Sequence, residues 1–194
     1  MVLKRKANII ITGTPGTGKS SHIELLKKKL PELTYVDIKD VIKEHDCVID
    51  YDDERKADIV DEDKVVDALE DKLDDGNLVI DWHVCDAFPE SQIDLVVVLR
   101  TDNSILYERL KDRKYDDQKI NENIDAEIME VILNDAREQY DEEIIVSLDS
   151  NKESDIEENV DRIIKWYDNW NADHPHGVST IDNMPNDSSD SDSD

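Results

Sequence analysis

Short apolar runs alternate with amphipathic stretches along most of this chain. Residues 7–12 read Ala-Asn-Ile-Ile-Ile-Thr, a β-branched run closed by Gly13, and predict a buried parallel strand. Residues 20–30 carry Ile23, Leu25, Leu26 and Leu30 at helical spacing, and Pro31 stops that helix. Residues 34–37 predict a second strand, and Asp37 caps a helix through Glu44 with Ile38, Val41 and Ile42 on one face. Residues 45–60 read as polar and irregular. Asp61 caps a helix striped by Val65, Val66, Leu69 and Leu73. After the Gly76-Asn77 turn come a third strand at 78–81 and a fourth at 93–99. Asp102 caps a helix facing inward through Ile105, Leu106 and Leu110. Residues 112–120 are charged and lack apolar periodicity. Residues 124–140 predict one long helix, with Ile124, Ile128, Val131, Ile132 and Ala136 in register. A fifth strand at 144–148 and a last helix at 154–171 complete the pattern. Strands alternating with helices make this an α/β protein, a parallel sheet covered on both faces through right-handed crossovers.

Composition adds two things. Apolar and charged residues each make up 38% of the 194 residues, which suits one domain plus an unpacked segment. Residues 172–194 contain no Lys or Arg and read as a disordered acidic tail. There Ser188, Ser189, Ser191 and Ser193 stand among aspartates, where acid-directed phosphorylation could act. The net charge of −27 repels bare nucleic acid and argues against sequence-specific nucleic-acid binding. It suits a basic protein partner, or serves solubility alone. Cys47 and Cys85 form no disulfide framework or metal motif. The N-terminal apolar stretch is too short for a signal peptide or membrane span. A cytoplasmic or nuclear protein is expected, with no membrane association.

The chemistry concentrates at Gly13-Thr14-Pro15-Gly16-Thr17-Gly18-Lys19-Ser20, which satisfies Gly-x4-Gly-Lys-Ser between a strand and a helix. Glycines let backbone N–H groups turn inward around a phosphate, and the helix N-terminus adds partial positive charge. Gly13, Gly16, Thr17 and Gly18 are thus candidate ATP-binding residues. Lys19 is expected to reach the β- and γ-phosphates, Ser20 to ligate Mg2+, and Ser21 to donate to the α-phosphate. The metal needs a carboxylate at another strand's end, and Asp81 directly closes Leu78-Val79-Ile80. His83, two residues on, shares its direction in an extended segment and could orient water or tune the metal shell.

Three segments carry a resemblance: the loop at 13–20; Asp81-Trp82-His83 with Cys85-Asp86 and Phe88-Pro89-Glu90; and Val98-Leu99-Arg100-Thr101 leading to Tyr107-Glu108-Arg109-Leu110. Together they resemble the adenylate kinase isoenzyme 6 family over about residues 7–171. The resemblance implies a P-loop NTPase fold with sheet order 2-3-1-4-5. It also implies an NMP-binding segment at about 37–60 and a short lid at about 112–122. It implies a nucleoside monophosphate kinase, converting ATP and AMP to ADP, with ATPase activity. The family's role in late maturation of the small ribosomal subunit implies a basic small-subunit ribosomal protein and the pre-40S particle as partners. Arg113 matches the family's ATP-contacting arginine near the lid, Arg109 is a second candidate, and Lys152 would border the adenine. One departure stands out: the AMP side offers Lys39 and Lys43 in place of arginine, and Phe88-Pro89-Glu90 contains none. Two other readings fit the loop. One is a small-metabolite kinase of shikimate or gluconate type, disfavoured by the acidic 45–60 segment. The other is a non-catalytic assembly factor switched by nucleotide.

Overall fold

A computed structural model describes residues 4–53 and 57–179. In chain order the elements are strands β1 (Lys4–Arg5) and β2 (Ile9–Gly13), helix α1 (Lys19–Lys29), β3 (Thr34–Asp37), α2 (Ile38–Glu44), β4 (Val48–Asp52) and β5 (Ala57–Val60). Then follow α3 (Glu62–Asp75), β6 (Leu78–Asp81), β7 (Leu95–Arg100), α4 (Asn103–Asp112), α5 (Asp117–Ile128), α6 (Val131–Gln139), β8 (Ile145–Asp149), α7 (Glu153–Asp173) and β9 (Val178–Ser179).

Five parallel strands form the central sheet in the order β3-β6-β2-β7-β8. In order of appearance that is 2-3-1-4-5, as expected. Side chains alternate across a strand, so each strand feeds two cores. Ile10, Ile80, Val96 and Val98 point to one face and pack with Leu69 and Leu73 of α3, Val41 of α2 and Leu133 of α6. Ile9, Ile11, Val79 and Val97 point to the other, against Leu26 of α1 and Val160 and Ile163 of α7. A smaller cluster of Leu106, Leu110 and Ile120 joins α4 to α5. All the strand carboxyl ends therefore open at one end of the molecule, where the phosphate-loop sequence lies.

Five expectations change. Residues 45–60 are not irregular, because β4 and β5 pair as an antiparallel hairpin. Its strand signal was weak because Val48, Ile49 and Tyr51 are interspersed with aspartates and all are exposed. The long helix at 124–140 is two helices, broken where Glu130 takes a left-handed conformation (φ 55°). Ile128 and Val131, expected inside, are exposed at that break. The charged stretch at 112–120 is not wholly irregular, since Asp116 caps α5 through Lys119 N–H and helix resumes at Asp117. The folded body also extends past residue 171: α7 reaches Asp173, and β9 pairs antiparallel with β1. The rest of the expected tail, 180–194, with its serines, lies outside the described residues. Asp102 holds the cap position of α4 through its carbonyl, bonded to Leu106 N–H, and its side chain makes no cap bond. Among the described residues no helix is long and apolar enough to cross a membrane.

Candidate active site

The loop between β2 and α1 has its shape enforced by its neighbours. Gly13 (φ +144°) lies so close to β7 that a Cβ there would stand 2.6 Å from the Leu99 carbonyl oxygen. A Cβ on Gly16 (φ +100°) would stand 2.8 Å from Leu106 Cδ1 of α4. Only glycine combines these angles with that proximity. Helix α1 then starts at Gly18 (φ 96°) with no side-chain cap and no acid in its first turn. The helices α2, α3 and α5 are each capped by an aspartate, Asp37, Asp61 and Asp116. The first amides of α1, those of Lys19, Ser20 and Ser21, have no intrahelical partner. With the helix dipole they form a site for an anion.

Lys19 folds back over this loop. Its Nζ donates to the Gly13 carbonyl at 2.5 Å and reaches the Thr14 carbonyl at 3.4 Å. Burial lowers its pKa to about 8; Asp81 opposes that shift, and Arg113 and Lys39 add to it. Asp81 ends β6 in register with Ile11 of β2 and Asp37 of β3. Desolvation raises its pKa, and the charge of Lys19 pulls the other way. Ser20 and Asp81 line one cleft of about 180 Å³ with Asp37, Tyr35, Glu24 and Lys27. An exposed hydroxyl and one strand-end carboxylate suit Mg2+, which keeps water and phosphate oxygens for the rest of its octahedron. His83 lies just past β6, its carbonyl accepting from the Thr12 hydroxyl at 3.4 Å. Desolvation, followed by the charges of Lys19 and Lys39, holds its imidazole below the ordinary range, so it is a neutral base near pH 7.

Around this centre the structure separates the expected residues. Arg113 is exposed at the end of α4, and its charge reaches both Lys19 and Arg109. Among the described residues its guanidinium makes no hydrogen bond or ion pair, so its fork is open for phosphate oxygens. Arg109 is committed to the fold. It donates to the carbonyls of Ser150 (2.8 Å), Asn151 (3.0 Å) and Gly16 (3.3 Å), clamping the loop after β8 to the phosphate loop. Thr17 is fully buried, and both its N–H and its hydroxyl bond the Thr14 carbonyl, at 3.1 and 2.9 Å. It braces the loop from within. Lys152 is exposed and pairs with Asp155 at 3.7 Å.

Two groups were missed by sequence reasoning. Buried Glu127 of α5 accepts from the Thr14 hydroxyl (2.5 Å), Arg100 Nε (2.7 Å) and Thr101 N–H (3.0 Å). Buried His22 of α1 faces the Gly18 carbonyl at 2.9 Å and the Asn159 side chain of α7 at 3.2 Å. The Asn159 amide also donates to the Asp149 carbonyl, so it donates to His22 Nε2, which fixes the Nδ1–H tautomer. Glu127 was indistinguishable in a chain with 50 acids, and His22 sat on a helical face already explained by packing.

Comparison with known proteins fits this geometry. The family described as "AAA domain" matches residues 9–130. Adenylate kinase isoenzyme 6 homolog FAP7 of Saccharomyces cerevisiae is 55% identical over 172 residues, 89% of this chain and 87% of that protein. Adenylate kinase isoenzyme 6 homolog HBR1 of Candida albicans is 50% identical over 181 residues, covering 89% and 73%. Among solved structures, a gluconokinase from Sinorhizobium meliloti 1021 shares the fold at a TM-score of 0.51 and 17% identity, over 88% of this chain and 98% of that one. A P-loop helix left uncapped for phosphate, a strand-end aspartate beside its lysine, and identity along most of its length place this chain in the adenylate kinase isoenzyme 6 family.

Proposed function

We propose that this protein transfers the γ-phosphoryl group of ATP to AMP or a related monophosphate, and to water as a second acceptor, in late maturation of the small ribosomal subunit. The observation that carries the catalytic reading is the uncapped start of α1 with Lys19 and Asp81 beside it. In this reading the free amides of Lys19, Ser20 and Ser21 hold the phosphates. Lys19 leaves the Gly13 carbonyl for the β- and γ-oxygens, and Arg113 covers the γ-phosphate from the lid side. Ser20 and Asp81 would hold Mg2+, which would neutralise charge on the transferred group. His83, neutral near pH 7, orients an attacking water and takes its proton, or takes the proton from an acceptor phosphate that is still singly protonated. Most of the rate then comes from positioning and charge, as phosphoryl transfer requires.

The acceptor side supports a slow monophosphate kinase. Lys39 and Lys43 of α2 are point charges, without the two-pronged grip of arginine on an acceptor phosphate. The balance between kinase and ATPase activity follows from that loose grip. A basic ribosomal protein and the pre-40S particle are the partners we assign, in cytoplasm and nucleus. The charge of −27 supports a basic partner.

Purified protein with Mg-ATP and AMP is expected to form ADP, and Lys19→Ala is expected to abolish this. His83→Ala should slow turnover by about 100-fold or more while leaving Mg-ATP binding within about twofold. Saturable nucleotide binding with no turnover toward any monophosphate or water would replace the enzyme reading with a nucleotide-switched assembly factor.

A further inference from the structure

Glu127 is a charged side chain only 3% exposed. It sits one residue before the end of α5, and both its carboxylate oxygens have donors. One oxygen accepts from Arg100 Nε and Thr101 N–H at the end of β7; the other accepts from the Thr14 hydroxyl. Arg100 completes the network by donating to the Glu127 carbonyl at 2.9 Å and to Glu130 Oε1 at 2.7 Å. Glu130 is the residue whose left-handed backbone separates α5 from α6.

Thr14 is consequently held from both sides. Its hydroxyl goes to Glu127, and its carbonyl receives Thr17 N–H, the Thr17 hydroxyl and, at 3.4 Å, Lys19 Nζ. A buried carboxylate unable to keep its donors is strongly penalised, so this bolt resists being opened.

Resting on the nucleotide-binding reading above, we propose that Glu127 is a positioning residue for ATP. Through Thr14 it fixes the curvature of the phosphate loop, and through Arg100 and Glu130 it ties that curvature to the α5–α6 joint. Glu127 touches no substrate. It sets the spacing between the loop amides and Lys19, and it makes the loop and the end of α5 move as one piece.

The test is a double-mutant cycle on full-length protein, read by Mg-ATP titration and by steady-state turnover. Thr14→Val removes one hydroxyl at constant shape. It is expected to raise the Mg-ATP Kd by about tenfold and to leave the KM for the acceptor monophosphate unchanged. Glu127→Gln, which keeps the side-chain volume and can still accept from Arg100 and donate to Thr14, should recover most of the affinity lost in Glu127→Ala. The Glu127→Ala, Thr14→Val pair should bind no worse than Glu127→Ala alone, because both cut the same link. Thermal melts report whether each variant folds; if Glu127→Ala does not, Thr14→Val and Glu127→Gln carry the test. A folded Thr14→Val protein with native Kd overturns the proposal, as does strict additivity of the two losses. If the unmodified protein shows no saturable Mg-ATP binding, the nucleotide reading itself falls, and the proposal with it.

Discussion

Lys19 shows how a single buried ammonium makes nucleotide binding pH-dependent. Burial lowers its pKa to about 8, and in the free protein its proton is shared with two backbone carbonyls. A polyphosphate beside it favours the charged form, so binding above about pH 8 must take up a proton. Calorimetry at about pH 8.5 in buffers of different ionisation enthalpy should show that uptake, and at about pH 7, where Lys19 is already protonated, it should vanish. Equal heats across buffers at the higher pH would show that the lysine does not meet the phosphates. Gly13 makes a second claim at this scale. A methyl group there meets the Leu99 carbonyl at 2.6 Å and Thr17 Oγ1 at 2.7 Å, neither of which can retreat without moving β7 or the loop. Gly13→Ala should cost about 2–3 kcal/mol in urea unfolding. Of the residues in this site, those with a spacing rule could be read from the chain: the glycines, Lys19, Ser20 and the strand-end Asp81. Glu127 could not, nor could the clamp that Arg109 makes, because their partners are backbone and hydroxyl groups brought together only by the folded sheet.

At the scale of elements, one buried imidazole joins α1 to α7 beside their apolar packing. His22 packs in full burial, and desolvation lowers its pKa; the Gly18 carbonyl opposes this shift and Arg109 reinforces it. Protonating it would point an N–H at the Asn159 amide. A histidine with a lowered folded pKa contributes its full stability above the unfolded value near 6.5 and loses it as pH falls through the lower value. The protein should therefore lose stability as pH falls below about 6.5, and His22→Leu should flatten that slope. Identical slopes in the two proteins would remove His22 from the account. The elements themselves were mostly visible in advance, since Asp37 and Asp61 are caps and β3 and β6 have the bounds their patterns imply. The failures have one cause each. The β4–β5 hairpin buries neither face, so no alternation marks it, and the α5–α6 break is set by side chains that Arg100 gathers from across the sheet.

Across the whole molecule, 50 acids against 23 bases put a self-repelling charge on a small body. Raising ionic strength from about 0.01 to about 0.1 M shortens the Debye length from about 30 to about 10 Å. The melting temperature should rise by several degrees over that range, and a fall would mean that local ion pairs outweigh the general repulsion. The internal counterpoint is Arg5, wholly buried, which bonds Asp94 and the Ser91 carbonyl beneath the sheet. The short pairing of β1 with β9 lies beside it, at the amino-terminal end of the strands. Helix α7, 21 residues long, starts just after β8 at the loop end and carries the chain back to that pairing. Both ends of the described chain therefore leave from the floor of the molecule, while the phosphate loop opens at its roof. A surface anchor joined at residue 4 or at residue 179 would leave on the far side from the mouth, so the immobilised protein should admit nucleotide as freely as one in solution.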